Sequence, residues 1–187
     1  CEANIYFDVS KFFPRGLHVG FAGLLPTFSL VLLVRDPLLN MRSYLNRNKK
    51  FQLDNTMPNS PRNLLNIESK DLERGELYLW SWCEMYLRFK KLIEDYNVER
   101  FVEIRTEDLS KPEIMNSALD SLDLTHSPVI AREAINTNIA QGLSETLINR
   151  EDIDLFEKFS ERLEPDLKHR ISYFENYDPS KQLHDTS

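Results

Sequence analysis

Arg35 ends the apolar run Leu30-Val31-Leu32-Leu33-Val34, is followed directly by Asp36 and Pro37, and stands eight residues before Ser43. A guanidinium offers paired, charge-assisted hydrogen bonds to phosphate oxygens, and a serine hydroxyl adds one more donor. Held together, the two side chains could grip a single phosphate monoester.

A strand and a helix have to position them. The run from Leu30 to Val34 shows no alternation of apolar and polar residues, which predicts a parallel strand buried on both faces. Asp36 is predicted to cap a helix and Pro37 to lie in its first turn, where proline's missing N–H goes unused. At about 100° per residue, Leu38, Met41 and Leu45 share one face while Leu39, Asn40, Ser43 and Arg47 cluster on another. Ser43 is therefore expected to point away from the main apolar stripe. A junction of this kind, strand into helix, is where parallel sheets present anion sites.

Further elements follow from the same pattern. Phe101 to Ile104 reads as a second strand running into Arg105-Thr106-Glu107-Asp108-Leu109. Ser110 and Glu113 are expected to form a capping box around Pro112, ahead of a buried stripe at Ile114, Met115, Ala118, Leu119 and Leu122. Glu76 to Tyr96 is the longest helix candidate, with Leu79, Trp82, Tyr86, Phe89, Ile93 and Tyr96 at three- and four-residue steps; its aromatics read as core, with Trp80 or Tyr78 at its start the ones that could face an acceptor pocket. Met57-Pro58-Asn59-Ser60-Pro61 interrupts any helix in the polar stretch from Asn46 to Asn66. The last third is expected to be helical, with one helix through Ile153, Phe156, Phe159 and Leu163 ending near Pro165 and another through Ile171, Phe174 and Tyr177 ending near Pro179. No internal repeat is present.

The strand ending in Arg35-Asp36-Pro37, the serine at position 43 and the later Arg105-x-Glu107-Asp108-Leu109 string resemble the sulfotransferases that use 3′-phosphoadenosine-5′-phosphosulfate as donor. The resemblance runs from about Ile5 to the end of the chain and is weakest after Leu124. It implies an α/β fold, a three-layer P-loop-type domain with a short parallel sheet flanked by helices. It also implies that Arg35 and Ser43 bind the donor's 3′-phosphate. The reaction would move a sulfuryl group to a hydroxyl or amine of a small-molecule or glycan acceptor, with no metal required.

In this family the strand before the Arg-Asp-Pro strand carries the general base at its end, and Asp8 in Ile5-Tyr6-Phe7-Asp8-Val9 falls at that place. A base is needed because the acceptor hydroxyl must lose its proton as it attacks sulfur. Lys11 and His18 are the next candidates, although His18 lies in the apolar stretch from Leu17 to Leu25, where a histidine is usually packed. Glu107 and Asp108 read as turn and cap residues. The region Ala131 to Leu143, where the family often places a cofactor-contacting loop, lacks the basic-basic-glycine form common there, so no residue is assigned in it. Gly16, Gly20, Gly23, Gly75 and Gly142 are isolated, and no glycine-rich loop with a following Lys-Ser/Thr occurs. The expectation is a chain whose N-terminal strand and P-loop are missing and which is inactive as a piece. Two alternatives compete with sulfotransfer: a kinase-like P-loop phosphotransferase, and a noncatalytic interaction domain without a donor loop.

Composition limits the remaining choices. With 187 residues, 41% of them hydrophobic, the chain has material for one domain over residues 1–187. A net charge of −7 disfavours nonspecific nucleic-acid binding, which needs a broad basic surface, whereas Arg35, Arg42 and Arg47 could still make a local cationic patch. No apolar run approaches the roughly 20 residues of a membrane span, and the start does not read as a signal peptide, so the chain reads as soluble. Cytoplasmic placement is favoured, with the Golgi lumen as the alternative for a chain carrying an upstream anchor. Cys1 and Cys83 have no metal or redox spacing. The acceptor and the oligomeric state are not fixed by sequence.

Overall fold

The computed structural model describes residues 13–25, 27–46, 58–68, 70–124, 127–130 and 147–183, and among them two parallel strands, β1 (Phe28–Val34) and β2 (Val98–Arg105), form the sheet. The strands lie in register from Ser29 opposite Arg100 to Val34 opposite Arg105, after an irregularity between Phe28 and Ser29. A 3₁₀ turn at Phe13–Arg15 leads through Gly16 into helix α1 (Leu17–Leu24). Gly16 holds φ at +128°, a conformation that side chains with a Cβ rarely adopt.

Between the strands, α2 (Pro37–Asn46) and α3 (Arg74–Asp95) make the long connection that parallel pairing requires. After β2 come the turn Thr106–Asp108 and helix α4 (Pro112–Ser121), and the C-terminal part carries α5 (Arg150–Glu161), α6 (Pro165–Arg170) and α7 (Ser172–Glu175). Pro165 thus opens a helix instead of only ending one, as suits proline in a first turn. The segment around Ile171 and Phe174 forms short helical pieces, not the longer helix that its spacing predicts.

The main core joins α2, α3 and α5 through buried Leu38, Met41, Leu79, Leu87, Ile153 and Phe159. Gly75 sits at their closest approach: a Cβ there would lie 3.0 Å from Leu155 Cδ1 and 3.1 Å from Met41 Sδ. Leu30 joins a smaller cluster with Phe89 and Leu92 of α3.

The two-sided burial expected for β1 is not found. Leu30 and Val34 are buried on the α3 side, but Val31 and Leu33, facing the other way, are 36% and 52% exposed. Among the described residues the helix on that other side, α4, packs against β2, where it accompanies a buried Ile104. An all-apolar strand carries no mark of which face is covered, so tertiary packing decides it.

Two local expectations are also corrected. The Ser110–Glu113 capping box does not form; Lys111 occupies the position before α4 without a side-chain cap, and Pro112 starts the helix. Capping boxes appear instead at Glu73/Glu76 on α3 and Asn149/Asp152 on α5. The polar stretch between α2 and α3 is tied down over its described part. Buried Glu84 accepts hydrogen bonds from the Leu64 and Leu65 amides at 3.3 and 2.8 Å, and the Trp80 indole donates to the Leu65 carbonyl at 2.9 Å.

Candidate functional site

The site is built where β1 becomes α2. Asp36 caps the helix: its Oδ1 accepts from the Leu38 and Leu39 amides at 2.9 and 3.0 Å. The Tyr177 hydroxyl, brought in from the C-terminal segment, donates to the same carboxylate at 2.9 Å from Oδ1 and 2.7 Å from Oδ2. Burial pushes the Asp36 carboxyl up from its ordinary range, against the opposing pull of these hydrogen bonds. On Tyr177, burial and the adjoining Asp36 carboxylate push the phenol up as well.

The neighbouring peptide is held from two more sides. The Trp82 indole of α3 donates to the Arg35 carbonyl at 2.9 Å. The Asp36 amide lies 3.4 Å from Glu107 Oε1, and Thr106 Oγ1 lies 3.0 Å from the same oxygen, so the turn after β2 closes on the junction. Trp82 stacks on Tyr86 with centroids 5.4 Å apart and meets the Tyr173 ring edge-on at 5.3 Å.

Arg35 is half-buried, and among the described residues its guanidinium makes no hydrogen bond or ion pair. Arg105, at the matching end of β2, lies over the Tyr173 ring at 5.0 Å from its centroid and likewise has no carboxylate partner among the described residues. Other arginines differ: Arg42 pairs with Asp152, Arg88 with Glu84, Arg100 with Asp123 and Arg162 with Glu76. Two uncompensated cations therefore mark the carboxyl end of a parallel pair, where open α/β sheets collect ligands.

Ser43 lies opposite the Leu38–Met41–Leu45 face, as its spacing predicts, yet it is only 3% exposed and already takes part in another interaction. Helix α2 is covered on more than one side, since both α3 and α5 pack on it. Asp8 and Lys11 fall outside the described residues. His18 is a packed ring: its Nδ1 lies 2.9 Å from the Phe13 carbonyl, and it meets Tyr96 edge-on at 5.3 Å. Asp108 pairs with Lys111 at 2.6 Å, as a turn residue would. Cys83 is buried, and burial pushes its thiol well up.

Sequence reading misses Trp82 and Tyr177 as site residues because they recur at helical steps among apolar neighbours, and it misses Tyr173 because that residue lies off those steps. The only signal is chemical, since tyrosine and tryptophan each carry a polar atom that needs a partner when buried. Among the described residues no group of three or more His, Cys, Asp or Glu could hold a metal ion, and no helix is long and apolar enough to cross a membrane. Comparison with protein-family models, curated proteins and solved structures finds no match to this chain.

Proposed function

We propose that the Arg35 junction binds the 3′-phosphate of 3′-phosphoadenosine-5′-phosphosulfate, and that the chain is part of a sulfotransferase acting on an acceptor hydroxyl or amine. The observation that carries this reading is the Arg35 guanidinium at the carboxyl end of β1, beside the start of α2, which has no partner among the described residues. The first free amides of α2 are taken by Asp36, so an anion here would be held by side-chain cations and not by the helix terminus. Trp82 and Tyr177 support the role by fixing the Arg35-Asp36 backbone, which lowers the ordering cost of a bidentate phosphate contact.

In this reading Ser43 is a second phosphate contact that exchanges its present partner for a phosphate oxygen, and Asp8 is the base that takes the acceptor's proton. The finer fold assignment, a three-layer P-loop-type domain, belongs to the same proposal. Calorimetric titration with adenosine 3′,5′-bisphosphate tests it. Arg35→Ala is expected to weaken binding by about 2 to 4 kcal/mol and Ser43→Ala by about 1 kcal/mol. Unchanged affinity in Arg35→Ala, with circular dichroism showing an intact fold, would sink the phosphate site.

A further inference from the structure

Tyr173 is 8% exposed, and its hydroxyl is buried without a hydrogen-bond partner. Buried hydroxyls are nearly always paired, so an orphan calls for an explanation in bound water or in function. Its surroundings point one way. Tyr173 shares Trp82 with Arg35, since the indole touches the Tyr173 ring and bonds the Arg35 carbonyl. Its phenol senses Arg105, Glu103, Glu107 and Asp36, all at the carboxyl end of the sheet. Of these carboxylates, Glu103 is engaged by Tyr86 at 3.1 Å and Lys90 at 3.4 Å, and Asp36 is engaged by Tyr177 and the α2 amides. The Arg105 guanidinium, by contrast, rests on the Tyr173 ring and has no carboxylate partner among the described residues. Because Val34 pairs with Arg105, the Arg35 and Arg105 backbones are about 6 Å apart, from neighbouring strands and one residue of rise.

We infer that Arg105 and Tyr173 form a second oxyanion subsite beside Arg35, in which Arg105 turns off the Tyr173 ring towards a phosphate group and the orphan Tyr173 hydroxyl, buried in the ligand-free chain, donates to the same group. The ligand class, a nucleotide phosphate, rests on the sulfotransferase reading; the subsite itself rests on the orphan hydroxyl and the uncompensated cation. Arg105 is an exposed side chain on a weak, non-directional contact, so it can leave the ring at little cost. A phosphate oxygen offers both groups the partner that each lacks.

The test uses the full 187-residue chain, with calorimetric titration of adenosine 3′,5′-bisphosphate and of inorganic phosphate, and thermal melts without ligand. Tyr173→Phe removes an unpaired buried hydroxyl, so it should melt at or above the parent temperature while binding the bisphosphate about 5- to 20-fold more weakly. Arg105→Gln should weaken binding about tenfold or more. If inorganic phosphate shows the same losses, the subsite recognises the phosphate group itself; if only the bisphosphate does, the nucleotide is needed to seat it. Parent-like affinity in Tyr173→Phe would overturn the inference and leave bound water as the partner of the parent's Tyr173 hydroxyl. Loss in Tyr173→Phe with none in Arg35→Ala keeps the subsite and removes the Arg35 assignment, and the reverse pattern does the opposite. Binding of neither probe by the parent overturns both.

Discussion

Asp36→Ala should cost about 2 to 4 kcal/mol of stability, because one carboxylate serves three donors. Two are the Leu38 and Leu39 amides, and losing such a helix cap costs about 0.5 to 2 kcal/mol. The third is the Tyr177 hydroxyl, half-buried, which would be left without its acceptor at a cost of about 1 to 3 kcal/mol. The two losses share one group, so their sum is an upper limit. Asp36→Asn keeps an acceptor oxygen and a good capping residue, and should cost no more than about 1.5 kcal/mol. The pH dependence has a definite sign. Burial raises the folded-state pKa of Asp36, so the folded protein holds this proton more tightly than the unfolded chain. The stability linked to it is fully present below the ordinary value of 3.8 and is lost as pH rises through the raised folded value. Asp36→Asn is accordingly expected to cost less at neutral pH than in acid. Urea unfolding followed by far-ultraviolet circular dichroism measures both effects. A loss below about 0.5 kcal/mol for Asp36→Ala would refute the reasoning, since neither the cap nor the tyrosine contact would then be contributing.

The other expectations use the same logic elsewhere. The phenols of Tyr173 and Tyr177 are raised above the ordinary 10.0, so above that pH the unfolded chain loses these protons first and stability falls with rising pH. Urea midpoints in the alkaline range should show this slope, and Tyr177→Phe should reduce it; an unaltered slope would mean that the buried phenol is not linked to folding. Glu84→Ala strands the Leu64 and Leu65 amides and the partly buried Arg88, so it should destabilise by about 3 kcal/mol and increase proteolytic cutting near Leu65. Unchanged cutting and a loss under about 1 kcal/mol would show that Glu84 does not hold that segment.

The arrangement has a physical economy of contact at one place. The peptide at Arg35-Asp36 is met by α3 through Trp82, by the turn after β2 through Glu107 and by the C-terminal segment through Tyr177. Three stretches far apart in sequence converge on two residues. Phe156 reinforces the last of these, stacking on Phe174 at 4.9 Å and meeting Tyr177 at 4.8 Å. Disturbance of the C-terminal segment should therefore reach the Arg35 junction directly.

Local chemistry made the β1–α2 junction legible in the amino-acid sequence. Asp36 before Pro37 ends a strand and starts a helix whatever lies around it, and the observed cap bonds to Leu38 and Leu39 follow from that geometry alone. The long aromatic helix was legible for a similar reason, since a 3.6-residue period over Arg74–Asp95 leaves few alternatives. Burial was different. Val31 and Leu33 are as apolar as Leu30 and Val34, yet they are exposed, because the α3 packing that covers Leu30 and Val34 lies on the opposite face. Ser43 shows the opposite outcome: it is polar and off the main stripe, yet buried because α2 is packed from more than one side. The partners of Asp36, Glu84 and Arg105 were likewise decided by the tertiary fold. Hydrogen-bond chemistry requires that a buried carboxylate find donors, but which ones, Tyr177 across the chain or the amides at Leu64 and Leu65, depends on how distant segments pack.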